Sequence, residues 1–184
     1  MKKAFVHFAE GFEEIEALTI VDVLRRAGIP VLMISVTGQL DVTGAHEITV
    51  KTDTLFENTD YEEAEILILP GGMPGSRNLN AHEGLKKQLA YFSEKGKKIA
   101  AICAAPLVLG GLNILNGHEA VCYPGFENTL TGASLKYDPA LKSGNIVTGR
   151  GPGAALNFSL MLVEDLKGKN EADQLARDML VQTW

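Results

Sequence analysis

The chain has 184 residues, of which 46% are hydrophobic and 22% charged, and its formal net charge is −6 at pH 7. This composition is typical of a globular domain and excludes a disordered or fibrous chain. A nucleic acid or an anionic membrane would need a basic face on the protein, so the acidic balance argues against both partners. Five lysines bracket a predicted helix, and we interpret them as solvated helix ends rather than as a basic patch: Lys86, Lys87, Lys95, Lys97 and Lys98.

The start of the chain carries two lysines before an apolar stretch, as a secretory signal does. His7, Glu10 and Glu13 interrupt that stretch, so no signal core is expected. The longest uncharged run, residues 99–117, contains Pro106, which favours a buried strand, turn and short helix over a membrane span. We therefore expect a cytoplasmic protein whose two cysteines are reduced thiols.

Strands and helices alternate through the first half of the chain. Residues 4–8 predict a strand that ends at Gly11, and apolar residues at every third position predict an amphipathic helix over residues 14–27. Gly28 follows this helix, where a C-terminal cap needs a positive φ. A second strand is predicted at residues 31–36. Residues 40–51 alternate on both sides of Gly44, which predicts a small antiparallel ribbon.

The second half continues the alternation. Strands are predicted at residues 65–69, 98–102, 120–123 and 145–148, and helices at residues 80–95, 153–166 and 171–181. Strands separated by helices imply a parallel sheet that is covered on both faces. With no linker, repeat or low-complexity segment, residues 1–184 are predicted to form one α/β domain with a doubly wound, mostly parallel sheet and the ribbon.

Ligands of such folds bind beyond the carboxyl ends of the strands. Three segments place unusual residues there: residues 13–16, the pair Gly71 and Gly72, and Cys103. Their expected convergence makes a functional site plausible at this edge.

Residues 100–106, AAICAAP, have the form of a nucleophile elbow. Small residues flank Cys103, so the chain can turn sharply from strand to helix and expose the sulfur. Pro106 suits the first turn of the helix that follows. A helix N-terminus favours negative charge, so we expect a lowered thiol pKa. The alternative is a buried, inert cysteine, as expected for Cys122 within a predicted strand.

Motifs along nearly the whole chain resemble the Parkinson-protein (DJ-one) branch of the ThiJ/PfpI superfamily. They are FEEIEA at 12–17, DVLRRAG at 22–28, LPGG at 69–72, AAICAAP at 100–106 and RGPG at 150–153. The resemblance implies a flavodoxin-like three-layer sandwich and a homodimer. It also implies that Cys103 is the nucleophile and that the carboxyl group of Glu16 touches its sulfur. Without the resemblance, Glu16 would be interpreted as a helix-start acid, like Glu13 and Glu14.

The resemblance further suggests how the site would work. A thiolate and a carboxylate repel each other, so Glu16 is expected to keep its proton at rest and to shuttle it during turnover. The N–H groups of Gly71, Gly72 and Ala104 are candidate donors to an oxyanion, although the two glycines alone would fit an ordinary tight turn.

Tyr123 stands where many relatives place a histidine near the cysteine, and it is expected, with Arg150, to line the site. A phenol with an ordinary pKa of about 10 is a poor base near neutral pH. Ala104 follows the nucleophile where protease-like relatives carry histidine, so a cysteine protease is the weakest reading.

No metal or cofactor is predicted. The four histidines show no metal-ligand spacing and are interpreted as structural or surface residues. Residues 149–154 fit a dinucleotide fingerprint formally, but a proline interrupts the loop and no acidic residue follows a next strand.

Two functions remain open. In the first, Cys103 attacks a small reactive carbonyl, such as methylglyoxal or its adduct on an amine or thiol, in a glyoxalase or deglycase reaction. In the second, the protein is a non-enzymatic oxidative-stress sensor or redox-regulated chaperone in which Cys103 becomes a sulfinate held by Glu16. The missing histidine favours the sensor.

Overall fold

The computed structural model describes residues 3–182, so the first two and last two residues of the predicted domain 1–184 lie outside the described range. The strands are β1 (Lys3–Phe8), β2 (Val31–Ser35), β3 (Asp41–Thr43), β4 (Thr49–Lys51), β5 (Thr54–Leu55), β6 (Ala64–Leu69), β7 (Lys98–Ile102), β8 (Glu119–Ala120), β9 (Ser134–Leu135), β10 (Ala140–Ser143) and β11 (Ile146–Gly149). The helices are α1 (Glu14–Arg26), α2 (Gly75–Ala81), α3 (Glu83–Glu94), α4 (Pro106–Gly111), α5 (Ala155–Lys167) and α6 (Lys169–Asp178).

Seven strands form the central sheet in the order β10-β11-β7-β6-β1-β2-β5. Every pairing in this sheet is parallel except that of β10 with β11. Strands β3 and β4 form a separate antiparallel ribbon. The structure therefore confirms the doubly wound, mostly parallel sheet with a small ribbon.

Side chains of the central strands alternate between two hydrophobic clusters, one on each face of the sheet. In β1, Val6 belongs to the cluster covered by α1, α5 and α6, whereas Phe5 belongs to the cluster covered by α2, α3 and α4. The inner strands are apolar on both faces because helices cover both. This arrangement is the predicted three-layer sandwich.

Helix α1 begins and ends where its sequence predicts. The side chain of Glu13 caps its start, and Arg25 and Arg26 lie in its last turn, where basic residues favour the helix dipole. Gly28 has a φ of +67°, as predicted for the residue after the helix. This helix carries Glu16 in its first turn.

Four predicted elements differ from the structure, among them the last helix, which was expected at residues 171–181 and spans Lys169–Asp178. The helix expected at residues 80–95 is two helices, because His82 leaves the helical conformation and its ring caps the start of α3. The strand expected at residues 120–123 is reduced to β8, which pairs with β9 outside the central sheet. The N–H of Val121 donates to the side-chain hydroxyl of Thr148 and not to a backbone carbonyl of a neighbouring strand. The helix expected from residue 153 begins at Ala155, after a 3-10 turn at Pro152–Ala154.

The uncharged run at residues 99–117 forms β7, a turn and the short helix α4, as predicted. Among the helices of residues 3–182, none combines the length and apolarity needed to cross a membrane.

Candidate functional site

Cys103 lies at the end of β7, immediately before the turn into α4, with a φ of +65°. This left-handed conformation costs a non-glycine residue about 1–2 kcal/mol. Two hydrogen bonds fix it: the Cys103 N–H donates to the Gly149 carbonyl at 2.9 Å, and its carbonyl accepts from the Tyr123 N–H at 2.8 Å. The sharp turn after β7 is as predicted, but the expectation that it exposes the sulfur was wrong, because Cys103 is buried.

Glu16 reaches this elbow across a glycine. The carboxyl oxygen Oε2 of Glu16 accepts a hydrogen bond from the Gly71 N–H at 2.8 Å. A Cβ at Gly71 would lie 2.5 Å from both Glu16 Oε2 and the Cys103 Cβ, so no other residue fits between them. Position 71 therefore needs glycine because the acid and the cysteine approach each other there.

The Glu16 side chain is fully buried. Its second oxygen, Oε1, has no hydrogen-bond partner within the described part of the chain, although the Cys103 thiol is near enough to act on the carboxyl group. Burial raises the pKa of Glu16 to about 7, opposed by Cys103 and the Gly71 N–H and reinforced by the charge of Glu13. The direction agrees with the expectation that Glu16 holds a proton readily, but that expectation paired a protonated acid with a thiolate, and the pKa of the thiol contradicts this resting state.

The expectation for the thiol was wrong in direction. Burial and the charge of Glu16 raise the pKa of Cys103 to about 12, and the N–H groups of Gly72 and Ala104 offset this only in part. Cys103 is only 7% exposed, and α4 is a six-residue helix that begins three residues later, at Pro106. A short helix start at that distance is outweighed by burial and a carboxylate.

Cys103 and Glu16 form one coupled pair. Ionising both would place two negative charges together in a buried site, so the pair loses one proton as pH rises through about 7 and keeps the other above that pH. The raised thiol pKa puts that proton on sulfur, with the carboxylate beside it as a base.

The N–H groups of Gly71 and Gly72 have different partners, whereas both were expected to face an oxyanion. The Gly71 N–H is donated to Glu16, so it positions the acid rather than an oxyanion. The Gly72 and Ala104 N–H groups both act on the sulfur.

Tyr123 and Arg150 line a neighbouring cavity of about 400 Å³ together with Tyr137 and Asn157. The walls of this cavity do not include Cys103 or Glu16. The structure therefore brings five of the seven predicted site residues together around Cys103, whereas Tyr123 and Arg150 lie in the cavity beside them. Arg150 donates to the Tyr137 carbonyl at 2.7 Å and lies over the Tyr137 ring.

Tyr137 also lines this cavity, although it was not predicted as a site residue. No motif marks it, and only the fold brings it to Arg150.

A sequence model of the DJ-1/PfpI family matches residues 2–165. The chain belongs to the DJ-1/PfpI family. It is 36% identical to an Arabidopsis thaliana protein described as DJ-1 homolog B, over 98% of this chain and 42% of that protein. The chain thus spans less than half the length of this relative, and 47% of the related homolog A.

Two further members of the DJ-1/PfpI family are similar over nearly their whole length. A Pyrococcus abyssi protein named a deglycase is 35% identical over 164 residues, which are 86% of this chain and 96% of that protein. The solved structure of oxidized Toxoplasma gondii DJ-1 has a TM-score of 0.95 at 36% identity, with both chains covered completely. These similarities confirm the family and the fold inferred from the motifs.

Proposed function

We propose that this DJ-1/PfpI protein is a cofactor-independent enzyme of the glyoxalase or deglycase type, acting through Cys103 on small reactive carbonyls or their adducts. The observation that carries the proposal is the strained cysteine elbow with the buried Glu16 carboxyl group against it. The similarity to a protein named a deglycase supports the substrate class.

In the proposed reaction with methylglyoxal, the Cys103 sulfur adds to the aldehyde carbon while its proton passes to the Glu16 carboxylate. The carbonyl oxygen becomes an alkoxide and takes that proton, giving a hemithioacetal. Glu16 then removes the C1 hydrogen as a proton and delivers it to C2 through an enediol, while the proton of the C1 hydroxyl passes to the C2 oxygen, which gives a lactoyl thioester. Water cleaves the thioester, releases lactate and restores the thiol.

The Gly72 and Ala104 N–H groups would stabilise the alkoxide in this scheme, because both already favour negative charge at the neighbouring sulfur. Tyr123 and Arg150 would contact the part of a larger adduct that extends into the neighbouring cavity.

The test is lactate formation from methylglyoxal by the wild type, Cys103→Ser and Glu16→Gln, with Cys122→Ser as the matched control. We expect activity in the wild type and the control and none in Cys103→Ser. Undiminished activity in Cys103→Ser would end the enzymatic proposal.

A redox sensor is the second candidate, favoured by the similarity to an oxidized DJ-1 structure. In it, the Cys103 sulfur displaces hydroxide from hydrogen peroxide to give a sulfenic acid, and a second peroxide gives a sulfinic acid. Intact mass during peroxide titration tests this: two added oxygens on Cys103 without methylglyoxal turnover would favour the sensor. A cysteine protease stays the weakest candidate, because Ala104 supplies no base; peptide cleavage by pure protein would revive it.

We also propose that the chain forms a homodimer. Ile15 and Leu18 lie three residues apart on α1, hence on one face, and are 58% and 37% exposed. Light scattering of the wild type and Ile15→Glu tests this: a dimer that the variant weakens is expected, and a wild-type monomer would contradict it. A cytoplasmic location likewise stays a proposal, which cell fractionation checks.

A further inference from the structure

We propose that Glu13, Glu14 and His46 form a binding site for one divalent zinc-class cation, beyond the proposed carbonyl chemistry and independent of it. Each residue offers one ligand atom, and the three atoms lie within 4.8 Å of one another. They are Glu13 Oε1, Glu14 Oε2 and His46 Nδ1.

The spacing of these atoms suits a small tetrahedral ion. His46 Nδ1 lies 2.8 Å from Glu14 Oε2 and 3.9 Å from Glu13 Oε1. With zinc–ligand bonds of about 2.0–2.1 Å, neighbouring ligand atoms of a tetrahedral site are about 3.3 Å apart. The two distances to His46 lie on either side of that value, and the separation of the two carboxylate oxygens is at most 4.8 Å, so binding an ion would draw the carboxylates together.

Both carboxylates are held in place through the oxygen that does not face the imidazole. Glu13 Oε2 accepts the Glu16 N–H at 2.7 Å, and Glu14 Oε1 accepts the His46 N–H at 2.6 Å. Supporting hydrogen bonds of this kind orient metal ligands and raise affinity. The ligand oxygens are therefore preorganised by helix α1 and by the loop between β3 and β4.

One of these oxygens has no hydrogen-bond donor. Glu13 is only 7% exposed, and within residues 3–182 its Oε1 accepts no hydrogen bond, while His46 Nδ1 lies 3.9 Å away. This oxygen is not enclosed, since the fully buried side-chain atoms without a partner in the described chain are Glu16 Oε1 and Ser76 Oγ. An ion can therefore reach Glu13 Oε1 and supply the partner that it lacks. The His46 side chain is 69% exposed, so an ion can enter from that side.

The ligand set selects the kind of ion. One imidazole nitrogen and two carboxylate oxygens suit zinc and its neighbours among the transition metals, whereas calcium needs six to eight oxygens. Three protein ligands leave a fourth position for water.

No local sequence pattern marks this site, because its ligands come from segments about 32 residues apart.

Calorimetric titration with Zn²⁺ tests the proposal on the metal-free full chain, compared with His46→Ala, Glu14→Gln and the matched control Glu47→Gln. Glu47 is exposed and lies next to His46, but it is not a ligand. We expect one Zn²⁺ per chain in the wild type and the control, and affinity at least about tenfold weaker in His46→Ala and Glu14→Gln.

Two further readouts separate this site from the thiols and from misfolding. Zn²⁺ should raise the melting temperature of the wild type but not of His46→Ala, which removes an exposed side chain and so should leave the fold intact. Co²⁺ should bind without a thiolate charge-transfer band. Binding that survives both ligand substitutions, a thiolate band, or no stoichiometric binding would overturn the proposal. None of these outcomes depends on methylglyoxal turnover.

Discussion

The two cysteines of the chain are alike in burial and different in surroundings. Cys103 and Cys122 are each 7% exposed, and burial raises the pKa of both thiols, to about 12 and about 11. They pack in different hydrophobic clusters, on opposite faces of the sheet. Cys103 alone combines a left-handed backbone with a buried acid; the acid acting on Cys122 is the partly exposed Glu127.

Burial and the raised thiol pKa are therefore common to both cysteines and do not distinguish Cys103, the proposed nucleophile, from Cys122. The distinguishing features are the strained elbow, the two N–H groups that act on the sulfur and the carboxyl group of Glu16, which can accept the thiol proton as the sulfur attacks.

The largest expected difference between the cysteines is in catalysis. Cys103→Ser should lower kcat/KM for methylglyoxal by about 10³-fold or more, because a serine hydroxyl is a far weaker nucleophile at this site. Cys122→Ser should stay within about twofold of the wild type. Equal losses in both variants, measured by lactate formation, would erase the distinction.

The next largest difference is expected between the effects on kcat/KM of replacing Glu16, beside Cys103, and Glu127, beside Cys122. Glu16→Gln should lower kcat/KM by about 10²-fold or more, since it removes the proton acceptor. Wild-type kcat/KM should rise with pH up to the Glu16 pKa of about 7 and then level off, because the carboxylate is the active form.

Glu127→Gln is the control, because Glu127 is the acid that acts on Cys122. It should keep both the rate and the pH profile. A wild-type profile that is flat around neutral pH would remove Glu16 from the role of base.

The burial of Glu16 should also make the free energy of unfolding depend on pH. The folded pKa of Glu16 is about 7 against an ordinary 4.5, so folding takes up a proton between these values. Its contribution is complete below pH 4.5 and is lost as pH rises through 7, which amounts to about 3 kcal/mol in the free energy of unfolding.

Urea unfolding of the wild type and Glu16→Gln at pH values of about 5 and 8 measures this effect. The free energy of unfolding of Glu16→Gln, relative to that of the wild type, should increase toward higher pH. Cys122→Ser leaves Glu16 in place, so its free energy of unfolding should depend on pH as that of the wild type does. Parallel curves for wild type and Glu16→Gln would mean that the carboxyl group is not buried in solution.

The smallest expected effect concerns the backbone. Cys103→Gly relieves a left-handed residue, which offsets the lost packing of the sulfur, whereas Cys122→Gly has no such strain to relieve. Cys122→Gly should therefore be less stable than Cys103→Gly by about 1–2 kcal/mol in urea unfolding. The reverse order would argue against strain at the elbow.

Much of the fold could be predicted from local pattern. Helix α1 and strand β7 lie where periodicity and apolar runs put them, because local sequence dictates which face each element buries. The departure of residues 121–123 from the sheet could not be predicted, because the Thr148 hydroxyl decides it across space. The break at His82 is local, since its ring caps Leu85 three residues later, but histidine is not one of the residue types that mark a helix start in a sequence.

At the site, the elbow follows from local sequence, because small residues flank a cysteine between a predicted strand and a predicted helix. The family motifs added Glu16. The electrostatics of the site come from the fold: how deeply the sulfur and the acid are buried, the hydrogen bond from the Gly71 N–H to Glu16, and the approach of His46 to two carboxylates. The burial of Cys103 and its distance from charged groups depend on residues that are far away in the chain, so no local pattern encodes whether the pKa of its thiol is raised or lowered.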